Sequence, residues 1–176
     1  QMHFNALYDL LARSYVDAII QPARQENEYR AMCDMIDRYH GISKSIFMAD
    51  RGYESYNVFA HVQENGHFYL VRAKDISGNG IVASMKTQLP EDLDSFDVMF
   101  STILTRKQTN AVKAELEKYR IIPKASTFDF VDLHHHWFYE ITMRIVRFPI
   151  HGDTFECIIT NLPADLLTAC ISMSPT

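Results

Sequence analysis

"SIFMADRGYESYNVFAHVQENGHFYLVRA" (residues 45–73) decides how this chain is read. It opens on a short apolar run, Ser45 to Ala49, as expected for a strand covered on both faces. Asp50-Arg51-Gly52 ends that run. Ser55 is placed to cap a helix in which Tyr56, Phe59 and Ala60 share a face, and Gly66 is placed to stop it. "HFYLVRA" (67–73) then reads as a second buried strand. Strand, helix and strand form a compact βαβ unit with Asp50 at the carboxyl end of the first strand.

Upstream, "HFNALYDL" and "YVDAIIQP" are rich in aromatic and branched residues and read as a hairpin joined through Leu11 to Ser14. Met32, Met35, Ile36 and Tyr39 recur at helical spacing, which predicts a helix over 26–39 with Gly41 as its C-terminal cap. Downstream of the turn "DISGNG" (75–80), the segments "IVASM", "FDVMFSTIL" and "HHWFYEITMRIVRFPI" are strand-like. In the last, Tyr139, Ile141, Met143 and Ile145 alternate with Glu140, Thr142 and Arg144. Val112, Leu116 and Tyr119 share a face of a helix predicted near 108–119. His151-Gly152-Asp153 turns the chain into "TFECIITNLP", a hairpin partner whose strand (154–161) returns to the main sheet. Pro163 to Thr168 reads as the start of a further connection. The predicted class is α/β: a mixed sheet with flanking helices and a β-rich insertion.

The bulk numbers bound the function. The chain has 176 residues, 47% hydrophobic and 22% charged, enough for one ordinary core. No apolar stretch is long enough to span a membrane. The three cysteines, Cys33, Cys157 and Cys170, form no C-x-x-C pair and read as free thiols of a reducing cytosol. A formal net charge of -5 argues against nucleic acid, yet residues 102–124 carry six basic side chains against two acidic ones. Gln1 stands before Met2, and the chain reads as a segment of something longer.

Asp50 has two readings. As an isolated Asp-Arg-Gly, it is a turn or capping residue. At the carboxyl end of a strand in an open α/β sheet, it is where functional groups collect. There its carboxylate suits Mg²⁺, and Arg51 suits a phosphate. "ALYDLLARSYVDAIIQPARQENEYRAMCDMIDRY", "IFMADRGYESYNVFAHVQENGHFYLVRAK" and "TFECIITNLP" occur in an order and spacing that resemble the DDE transposases of bacterial insertion sequences, in particular the insertion-sequence-four family. The matching elements are Asp50-Arg51-Gly52-Tyr53, Arg72-Ala73-Lys74 and Thr160-Asn161-Leu162.

The resemblance implies a ribonuclease-H-like catalytic core over 1–77 and 154–176, incomplete, interrupted by a β-rich insertion over 78–153. It implies phosphoryl transfer on double-stranded DNA, both transposon ends and target. Three acidic residues hold two Mg²⁺ (or Mn²⁺) ions in such enzymes, and Asp50 is placed as the second of them. Arg51, Arg72 and Lys74 read either as salt-bridge partners or as contacts to the DNA backbone, and the resemblance favours the DNA contacts. A bacterial cytoplasmic location and a homodimer synapsed on DNA follow from the same resemblance. The first acidic residue belongs on a strand before the hairpin, and Asp9 and Asp17 read as ordinary hairpin positions. The final helical signature, Y-x-x-R-x-x-x-E-x-x-x-x-x-x-K, is absent: Tyr69 has Arg72 three residues on, but Ile76 stands where Glu belongs. The chain therefore reads as an internal segment of a transposase with little or no strand-transfer activity of its own.

Lesser candidates are the run His134-His135-His136, of which His134 and His136 share one face on a strand, and Trp137-Phe138-Tyr139, either core packing or a base-stacking platform. Two other functions stay open: a non-catalytic DNA-binding relic of a transposase, and a generic α/β domain with no DNA role.

Overall fold

The computed structural model describes residues 1–90, 92–132, 134–164 and 166. The expected hairpin forms as β1 (Met2–Asp9) and β2 (Ser14–Pro22), an antiparallel two-stranded sheet. Asp9 shapes its turn, since Oδ1 accepts from the backbone N–H groups of Leu11 and Ala12, each at 2.8 Å. Asp17 pairs with Arg38 at 2.7 Å. Both aspartates therefore have local structural partners.

Helix α1 (Glu28–Asp37) starts where Asn27 caps the Arg30 N–H at 2.9 Å and buries Ala31, Met32, Cys33, Met35 and Ile36. It ends earlier than the sequence suggested. Arg38, in helical conformation, is the C-cap, so Gly41 lies beyond the helix and caps nothing. β3 (Ile46–Ala49), α2 (Tyr56–Glu64) and β4 (Phe68–Ala73) then follow as predicted, with β3 and β4 parallel. Ser55 occupies the N-cap of α2, although its side chain makes no capping bond, and Gly66 ends the helix at φ +74°. The Phe59 and Tyr69 rings stack 4.6 Å apart, tying α2 to β4.

The main sheet has six strands in the order β3-β4-β8-β7-β5-β6. Its other members are β5 (Phe96–Thr105), β6 (Tyr119–Ile121), β7 (Phe138–His151) and β8 (Thr154–Thr160). β8 runs antiparallel to both β7 and β4, so the chain returns to the βαβ unit as expected. Gly152 makes the β7–β8 turn with φ +54°, a conformation in which glycine has no Cβ to clash. The strands of segment 78–153 thus extend the same sheet. This mixed α/β architecture is consistent with a ribonuclease-H-like fold.

Three expectations are corrected. β3 is an edge strand rather than one covered on both faces: Phe47 is buried, while Ile46 and Met48 are exposed. An apolar run records which residues avoid polarity, not which faces are covered. "IVASM" is no strand; a 3-10 turn runs over Ala83–Gln88. Val82, Met85 and Leu89 are buried there, a spacing of three and four that belongs to a helical winding. The helix near 108–119 shrinks to α3 (Asn110–Ala114), with Leu116 exposed and Tyr119 opening β6.

Candidate functional site

The chain leaves β3 through Asp50. The Asp50 backbone is extended, its carbonyl accepts from Tyr53 N–H at 2.9 Å, and its Oδ1 accepts from Arg51 N–H at 2.7 Å. Asp50 is therefore the N-cap of the 3-10 turn Arg51–Tyr53. Gly52 is not demanded by the backbone: its φ is not in the left-handed region, and a Cβ there would meet nothing within 4 Å. The glycine leaves bare, open space beside Asp50.

Capping uses only part of the carboxylate. Arg72, on β4, reaches Asp50 Oδ1 with Nη1 at 3.2 Å and donates from Nη2 to Glu156 Oε2 at 2.7 Å. Arg51 donates from Nη2 to the other oxygen, Glu156 Oε1, at 3.3 Å. Two arginines thus clasp one carboxylate, and one of them also touches Asp50. The side chains of Asp50, Arg51 and Arg72 are 64%, 47% and 46% exposed, whereas that of Glu156 is only 10% exposed. Hydrogen bonding to Glu156, then its charge, raises the Arg72 pKa further, so Arg72 is a permanent cation.

Glu156 is not among the candidates that the sequence singles out. The strand pairing locates it: Arg72 lies opposite Ile158, and Glu156 is two residues from Ile158 on the same face of β8. A glutamate inside the apolar strand "TFECIIT" was the clue, because a buried carboxylate needs cationic partners.

Lys74 goes elsewhere. Its Nζ donates to Asn79 Oδ1 at 2.9 Å, and its backbone N–H donates to Glu54 Oε2 at 3.0 Å. Glu54 also accepts from Ile81 N–H, so this carboxylate organises the 75–81 loop. The structure gathers Asp50, Arg51 and Arg72 and directs Lys74 into the neighbouring turn.

Most of the other candidates have structural partners. The histidine run lies before β7, not on a strand. Asp132 Oδ1 accepts from the backbone N–H groups of His134, His135 and His136 at 2.6, 2.6 and 3.2 Å. Those bonds, led by His135 and His134, hold the Asp132 carboxyl well below the usual range. Tyr139 packs edge-on against Phe128 and donates to Glu64 at 2.8 Å. Trp137 and Phe138 remain half exposed, with Lys107 Nζ 3.1 Å from the Trp137 ring centre. In the basic segment, Arg106 donates to the carbonyls of Pro123, Ser126, Phe128 and Val131, and Arg120 donates to that of Ser84. Cys33 and Cys157 are free and buried, and burial pushes each thiol up to about 12. Cys170 and Thr168 lie outside the described residues.

A second polar cluster also escaped the sequence reading. His61, buried on α2, bridges Asp37 of α1 at 2.8 Å and Asp129 at 3.0 Å. Burial opposes the Asp129 charge, but hydrogen bonds from His61 and Asn57 outweigh it and lower the pKa. This cluster pins the 128–132 segment onto both helices.

Among the described residues, no three His, Cys, Asp or Glu side chains converge as a metal site. Asp50 offers one exposed carboxylate, and the carboxylate beyond Arg72 is held by two guanidinium groups. The described residues do not by themselves fit a two-ion centre, whose ions need several anionic ligands to offset their repulsion. No described helix is long and apolar enough to cross a membrane.

The family model described as "Transposase DDE domain" matches residues 1–169. No curated protein gives a match to the chain. The family implies a transposase function, DNA as the partner and a divalent metal as cofactor. With the mixed sheet and Asp50 at the end of β3, a match over nearly the whole chain establishes that this protein belongs to the transposase DDE domain family.

Proposed function

We propose that this chain is the DNA-engaging catalytic region of a bacterial transposase of the insertion-sequence-four type. Asp50 supplies one of the acidic groups that hold Mg²⁺ (or Mn²⁺) in the intact enzyme; Arg51 and Arg72 meet the backbone of double-stranded DNA, at transposon ends and target, and Lys74 joins them only by exchanging its bond to Asn79 for a phosphate. The observation that carries this reading is the exposed Asp50 carboxylate flanked by two half-exposed arginines at a strand's carboxyl end. The supporting division is a core over 1–77 and 154–176 with an insertion over 78–153. A homodimer synapsed on DNA and a cytoplasmic location complete the proposal.

This polypeptide by itself has little or no cleavage or strand-transfer activity, because one exposed carboxylate cannot position two ions. The test incubates the purified chain with labelled duplex DNA and Mg²⁺ or Mn²⁺. Salt-sensitive binding without cleavage is expected. Cleavage that needs both metal and Asp50 overturns the inactivity. The lack of a converging acidic cluster among the described residues favours one alternative, a non-catalytic DNA-binding relic. Intact acidic partners encoded beside this segment would exclude it.

A further inference from the structure

Glu156 is placed unlike any other carboxylate at this site. Its side chain is nearly buried, each of its oxygens takes one arginine, and the two arginines come from different elements, the turn after β3 and the strand β4. A guanidinium carries five N–H donors in a rigid fork. Glu156 takes one Nη from each; the other Nη of Arg72 lies 3.2 Å from Asp50 Oδ1, and both side chains stay half exposed to solvent. Without Glu156, two like charges on flexible stems would have no common anchor. With it, both forks are held beside Asp50 and the bare Gly52, in the manner of paired cations awaiting a planar or tetrahedral anion.

We propose that Glu156 is a positioning residue for DNA binding: it fixes Arg51 and Arg72 so that both meet a backbone phosphate next to Asp50. This rests on the reading of the Asp50 face as the DNA face. Glu156 itself does not touch DNA. It acts through the two arginines, and its own negative charge works against binding.

That opposition of sign supplies the test. Binding of a fluorescent duplex is measured against salt for the whole chain and for Arg51→Ala, Arg72→Ala, Glu156→Gln and the double variant Glu156→Gln/Arg72→Ala, with circular dichroism to verify folding. Each arginine variant lowers the salt slope by about one. Glu156→Gln makes the chain one charge more positive and yet binds roughly three- to ten-fold more weakly, as expected when a phosphate contact is lost. In the Arg72→Ala background the same change has a smaller effect. Unchanged or tighter binding by Glu156→Gln, with the arginine variants still weak, overturns the positioning role and leaves the DNA face standing. Unchanged binding by both arginine variants overturns the face itself, and the proposal with it. If Glu156→Gln fails to fold, Glu156→Asp replaces it: the charge stays, the reach shortens, and weaker binding is expected, whereas wild-type binding overturns the proposal.

Discussion

Two arginine–carboxylate clusters lie on neighbouring strands, and they differ in what is left over. Arg147, on β7, spends itself inward. It donates to both oxygens of Asp75 at 2.8 and 3.2 Å, to the carbonyls of Leu93 and Asp94, and lies 3.7 Å from the Phe155 ring centre. Its side chain is 8% exposed. Arg51 and Arg72, around Glu156, are half exposed and keep donors unspent. The first cluster is a staple between the 75 and 93 loops. The second has the same ingredients but an open side, which a structural staple does not require.

The largest expected difference is in stability. Arg147→Ala removes a buried guanidinium, strips the part-buried Asp75 of its partner and leaves the Leu93 and Asp94 carbonyls without their donor, and is expected to cost about 3 kcal/mol. For a chain of this size that lowers Tm by roughly 6–12 °C. Arg72→Ala leaves the nearly buried Glu156 with Arg51 as its remaining partner and is expected to cost less, about 1–2 kcal/mol. Equal losses in thermal melts of the two variants would break the comparison.

Acid supplies the next contrast. Hydrogen bonding from Arg147 holds the Asp75 carboxyl down to about 2 from an ordinary 3.8. A depressed carboxylate contributes stability above its unfolded pKa and loses it as pH falls through the folded value. The Asp75 contribution is therefore present above about pH 4 and drains away toward pH 2. Asp75→Asn should flatten the stability profile in that window, measured by denaturant melts across pH; an unchanged slope would contradict the assignment.

A smaller effect separates charge from placement. Lys113 and Lys124 are exposed members of the basic segment. Lys113→Ala and Lys124→Ala are expected to leave the salt slope of DNA binding unchanged within about half a unit, against about one unit for Arg72→Ala. A larger loss at the lysines would move the DNA face to the 102–124 segment. Gly52→Ala should change stability by no more than about 0.5 kcal/mol, since its Cβ meets nothing. A measurable loss of DNA affinity in that variant would show that the bare turn is occupied in the complex.

The same contrast explains how much was legible beforehand. Periodicity within one segment predicts α1, α2 and the long strand β7, and composition and turn signals predict the hairpin, β4 and the return as β8. Alternation and helical spacing are local properties, and Asp50 stood out because it ends a strand within such a segment. What stayed hidden depended on pairing across the chain. Glu156 gains meaning only when β8 lies against β4, 84 residues from Arg72. His61 gains its partners only when segment 128–132 folds over α1 and α2. β3 has the apolar run of a strand covered on both faces, yet it lies at the sheet edge with Ile46 and Met48 exposed, because such a run does not say what covers it. "IVASM" shows the opposite error: β-branched residues suggested a strand, while burial at 82, 85 and 89 followed a helical spacing.

The most direct test of the DNA face is an NMR titration of the isotope-labelled chain with duplex DNA. Amide shifts are expected to concentrate at Asp50, Arg51, Gly52 and Arg72, and at Glu156 behind them, while Asp75, Arg147 and the 106–124 segment stay still. Shifts centred on that basic segment, or no shifts at salt concentrations where duplex binding is measured, would contradict the assignment of Asp50 to the DNA-binding face.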